Sequence, residues 1–122
     1  MKNLGLQTKE MTLKRTSGDE FQFTIIAGYY YENNEERGVI IEVPNSGIVM
    51  FDSHDEYWKH DMDKNFWNEL FSSYSYEEIT DHEATILSHV VEELRREVET
   101  GINQIYVNDE TWIDGIFELV TE

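Results

Sequence analysis

The stretch that most constrains this chain runs from Phe21 to Tyr31. Phe21, Phe23, Ile25, Ala27, Tyr29 and Tyr31 occupy every second position, and residues two apart share one face of an extended strand. The intervening set, Gln22, Thr24, Ile26, Gly28 and Tyr30, is half polar. A helix would scatter the apolar set around its circumference. The segment therefore reads as a strand with one face on a core, the pattern of an antiparallel sheet.

Its neighbours extend that reading. Met11 and Leu13 alternate in a strand over 11–15, and Ser17-Gly18-Asp19-Glu20 signals a turn. Residues 32–38 are charged and read as a hairpin loop before a strand at Val39–Val43. Pro44-Asn45-Ser46-Gly47 is a tight turn into a fourth strand at Ile48–Phe51. From Asp52 to Asp63 the chain is polar and acidic around Trp58, and it reads as a loop. Met62, Phe66, Trp67, Leu70 and Phe71 then recur at helical spacing and predict a short helix near 62–72. Ile86, Leu87, Val90, Val91, Leu94 and Val98 form the apolar stripe of a longer helix, with Gly101 at its C-terminal end. Two capping boxes, Ser75-x-x-Glu78 and Thr80-x-x-Glu83, allow that helix to start near 76 or near 81. On its outer face Glu92 is spaced to pair with Arg95 and Arg96, and Arg95 with Glu99. Ile102–Val107 and Thr111–Val120 read as a closing hairpin. The order ββββααββ predicts one α+β domain over residues 1–122, with two helices on one face of an antiparallel sheet.

Charge is the second constraint. The chain carries 26 acidic and 9 basic residues, a formal net charge of −17. Residues 1–18 hold Lys2, Lys9, Lys14 and Arg15 against Glu10 alone, a local +3 that reads as a basic edge strand. The remainder sums to −20, against Arg37, Lys59, Lys64, Arg95 and Arg96. A compact domain of this length is about 35 Å across, and duplex DNA carries about 20 charges over that span. The acidic body thus matches the charge of a DNA segment its own size. Such self-repulsion costs stability and points to a cationic partner, while it argues against direct binding of nucleic acid or anionic lipid.

Other chemistries find little support. There is no cysteine, so disulfides, thiolate zinc sites and cysteine nucleophiles are excluded. The first residues lack the apolar run of a signal peptide, and no stretch has the apolar length of a membrane span. A cytoplasmic protein is the expectation, in the host cytoplasm if a phage encodes it. No phosphate loop, dinucleotide fingerprint or nucleophile elbow is present, and no cofactor is expected. His54 and His60 flank the acidic 52–63 stretch, but a six-residue separation matches no short metal site. They read as solvated histidines, as do His82 and His89, and no metal site is assigned.

Aromatic residues border carboxylates repeatedly, a pairing suited to hot spots that receive Arg and Lys. Tyr29, Tyr31 and Trp67 read as core. The candidate contact surface comprises Glu32, Glu35, Glu36, Asp52, Asp55, Glu56, Tyr57, Trp58, Asp61 and Asp63. The chain resembles, in size, charge and lack of motifs, the small acidic phage proteins that block CRISPR nucleases, restriction enzymes or DNA-repair enzymes. That resemblance implies a non-enzymatic, DNA-mimicking inhibitor of a basic nucleic-acid enzyme. Two alternatives share the sequence features: an immunity protein that neutralises a cognate bacterial toxin, and a weak metal-binding or enzymatic domain using the 52–63 His/Asp stretch.

Overall fold

A computed structural model describes residues 4–16, 22–72, 78–100 and 117–119. Four strands come first: β1 (Leu4–Arg15), β2 (Gln22–Glu32), β3 (Glu35–Val43) and β4 (Gly47–Phe51). Three helices follow: α1 (His54–Lys59), α2 (Lys64–Leu70) and α3 (Asp81–Thr100), and then a short β5 (Phe117–Leu119). The sheet is antiparallel, in the order β4-β3-β2-β1-β5. The α+β class stands, but the order among described residues has three helices where two were expected. The expected turn at 17–20, the helix start at 75–77, Gly101 and the strand at 102–107 lie outside the described residues.

The alternation of β2 is realised as expected. Phe23, Ile25, Ala27 and Tyr29 are buried in one core cluster with Met11, Leu13, Val39, Ile41, Val43 and Phe51 from the neighbouring strands. The α3 stripe of Ile86, Leu87, Val90, Val91 and Leu94 closes that cluster, joined by Trp67, Leu70 and Phe71. Phe23 meets the rings of Phe71 and Phe117 edge-on, at 4.9 and 5.6 Å between centroids.

Several boundaries differ from the sequence reading. The β2–β3 loop is only two residues, Asn33-Asn34, both in the left-handed region with φ of 54° and 68°. Asparagine tolerates that conformation, and two such residues match the twist of the flanking strands. The charged residues 35–38 therefore continue as strand, with a register shift at Tyr30/Tyr31. Asn45 (φ 67°) sits after Pro44 in the next turn, closed by the Ser46 amide donating to the Val43 carbonyl at 3.0 Å. The basic N-terminal segment is not a simple edge strand, because β1 lies between β2 and β5.

The 52–63 segment is not a loop throughout. Ser53 caps α1 by accepting the Glu56 amide at 3.1 Å, and Asp63 caps α2 by accepting the Phe66 amide at 3.0 Å. The longer helix starts at the second of its two candidate boxes. The Thr80 amide donates to Glu83 at 2.9 Å, and the Glu83 amide donates back to the Thr80 hydroxyl at 3.1 Å.

Candidate functional site

Strand direction brings the two acidic segments to one end of the sheet. The β2–β3 hairpin closes at Glu32 opposite Glu35. β4 runs back toward that hairpin, with Phe51 paired to Val39, so Asp52 and the start of α1 emerge beside it. Two contacts tie the segments together. The His54 imidazole pairs with the Glu36 carboxylate, and the Tyr30 hydroxyl donates to Asp52 at 3.1 Å. Tyr30 and Asp52 flank Gly38 in the sheet, where an added Cβ would meet the Phe51 carbonyl, so only glycine fits there.

α3 begins beside Arg15 and ends at this same end of the sheet. The Tyr29 hydroxyl donates to Glu99, and the Tyr57 hydroxyl donates to Glu92 at 2.5 Å. The last turn of α3 contains no basic residue, and a helix C-terminus is itself electronegative. Glu32, Glu35, Glu36, Asp52, Asp55, Glu56, Glu92 and Glu99 thus surround one pole. Arg37, Lys59 and Arg96 are exposed cations on the same elements.

Beneath the pole lies Arg95, which the helical spacing had placed on an outer face. It is buried, at 5% exposure. Its guanidinium carbon lies 4.4 Å from the Tyr57 ring centroid, 5.2 Å from Trp58 and 5.4 Å from Tyr29, within cation–π range of all three. One guanidinium nitrogen donates to both Glu92 oxygens at 3.1 Å. The His54 ring stacks on Tyr29 at 5.2 Å and 11°. Burial, then the bond to the neighbouring carboxylate, raises the Tyr29 and Tyr57 phenols far above their ordinary range. Both stay protonated donors throughout the neutral range. Burial and Asp52 push Tyr30 in the same direction.

The expected contact residues separate under this geometry. Glu35, Glu36, Asp52, Asp55, Glu56, Trp58 and Asp61 are exposed, and Glu32 is half-buried. Tyr57 is 2% exposed and supports Trp58 edge-on at 5.2 Å, while Trp58 is 62% exposed. Asp63 is committed to the α2 cap. Asp61 stands apart from the pole, on a groove of about 310 Å³ between α1 and α3 whose walls include Trp58, His60, His89 and Glu92. His60 packs between Phe51 and Phe66. Among the described residues no group of three or more His, Asp, Glu or Cys gathers as a set of metal ligands. No described helix is long and apolar enough to cross a membrane.

Sequence reasoning missed Glu92, Glu99 and Arg95 as members of this cluster. Their positions on α3 carry no sign that the strands deliver Tyr29 and Tyr57 to them. The fold and surface define a class, a small α+β domain with an acidic, aromatic-edged pole. Compared with protein-family models, curated proteins and solved structures, the chain matches none.

Proposed function

We propose that this protein is a small acidic, non-enzymatic inhibitor that occupies the cationic nucleic-acid-binding surface of a nuclease or another nucleic-acid enzyme. The observation that carries the reading is the convergence of the 32–36 hairpin and the start of α1 at one pole, joined by the His54–Glu36 pair. Carboxylates there stand where phosphates would meet Arg and Lys, and Trp58 supplies an exposed aromatic anchor. Electrostatic steering would speed association.

The test is capture from host lysate at low salt, followed by elution with salt. The captured protein is expected to bind nucleic acid, to lose this inhibitor when duplex DNA is added, and to bind more weakly as salt rises. Exposed charges are screened over about 10 Å at 0.1 M salt. An affinity flat in salt, or a partner indifferent to competing DNA, refutes the reading. Replacing Glu35, Asp55 and Glu56 together by Lys is expected to abolish binding while circular dichroism remains that of the parent. Asp63 is spared because it caps α2. Full binding by the folded triple variant places the contact elsewhere.

A further inference from the structure

A second pocket, of about 440 Å³, lies between the first half of β1 and the end of α3. Leu6, Gln7, Thr8, Lys9, Glu97 and Val98 line it. Glu97 is only 1% exposed, yet its Oε2 has no hydrogen-bond partner. Glu93, one helical turn earlier, stands outside the pocket lining, and its Oε1 pairs with Arg96 at 3.6 Å. An unmet buried acceptor is costly, more so when charged. Burial raises the Glu97 carboxyl above its ordinary range and the Glu93 charge adds to this, while Lys9 opposes it. Lys9 lines the same pocket without donating to Glu97 Oε2.

We infer that this pocket receives the guanidinium of an arginine side chain presented by a partner protein. A guanidinium is planar and weakly hydrated and so suits the desolvated Glu97 carboxylate, whereas an ammonium is a compact, strongly hydrated point charge. Val98 offers apolar surface for the arginine methylenes. The site uses none of the residues assigned to the acidic pole and holds whichever protein supplies the arginine.

The experiment is an NMR titration of the whole chain with N-acetyl-arginine-N-methylamide. Saturable shifts are expected in the amides of Leu6 to Lys9 and in the Glu97 side-chain carboxyl carbon. Binding of N-acetyl-lysine-N-methylamide is expected to be about tenfold weaker, a difference of about 1.4 kcal/mol. Glu97→Gln is expected to lose arginine binding yet fold at least as stably, because a neutral amide removes a desolvated carboxylate. An unmoved Glu97 carboxyl signal in the parent chain overturns the proposal. So does equal affinity for the lysine probe, or undiminished binding by Glu97→Gln. Should that variant fail to fold, the carboxyl signal of the parent chain decides.

Discussion

Among the described residues two basic side chains, Arg15 and Arg95, are buried, and they do different work. Arg15, 2% exposed, makes a bidentate pair with Glu83, both bonds at 2.7 Å, and donates to the Glu78 carbonyl at 2.9 Å. It clamps the end of β1 to the start of α3. Removing one partner of a buried pair leaves an uncompensated charge, so Arg15→Ala is expected to cost about 3–5 kcal/mol. Urea denaturation would read this as a lower midpoint at unchanged slope, and a loss within experimental error would show the pair to be dispensable. Arg95 instead lies among aromatic rings above the tyrosines that serve Glu92 and Glu99. Those tyrosines set an alkaline limit. The folded state holds Tyr29 and Tyr57 protonated beyond the ordinary tyrosine value of 10. Their contribution is complete below pH 10 and is lost as pH rises toward their folded pKa values. Tyrosinate absorbance should therefore show a late phase that coincides with unfolding and disappears in the Tyr29→Phe/Tyr57→Phe double variant. Titration of every tyrosine near pH 10 with the fold intact contradicts this.

At the scale of elements, much was legible because caps and periodicities are local. The β2 alternation, the α3 stripe and the Thr80–Glu83 box can all be read from neighbouring residues. Even α1 had a visible signal, since Ser53-x-x-Glu56 is a capping box, but the acidic composition of 52–63 hid it. The β2–β3 hairpin is present, but its loop is shorter than its charge suggests. Charge at 35–38 suggested a loop, whereas Asn33-Asn34 alone suffices to turn the chain. Thr80→Ala should cost about 1 kcal/mol, the usual worth of an N-cap. The change should appear in the denaturation midpoint and in faster amide exchange over the first turn of α3. Unaltered exchange there would mean that the Arg15–Glu83 clamp holds the helix start unaided.

For the whole molecule, charge works against compactness. With a net −17, like charges crowd the pole formed by the hairpin, α1 and the end of α3. Added salt screens that repulsion more than it weakens the buried Arg15–Glu83 pair. The melting temperature is therefore expected to rise between low salt and about 0.1 M, where the screening length falls to about 10 Å. A fall would mean that favourable ion pairs outweigh the repulsion. The same salt should weaken partner binding, so the two measurements are expected to move in opposite directions.

The amino-acid order by itself determined the α+β class, the buried face of β2 and the apolar stripe of α3, because each rests on a repeat of two or 3.6 residues. It also determined the acidic imbalance. Only the tertiary structure decided that the two acidic segments share a pole, because this follows from β4 running back toward the β2–β3 turn. Only there does Arg15 meet Glu83, 68 residues away, and Tyr29 meet Glu99, 70 residues away. The same packing leaves Glu97 Oε2 buried beside β1 without a donor. Such meetings depend on strand order and helix direction, and no local pattern of residues encodes them.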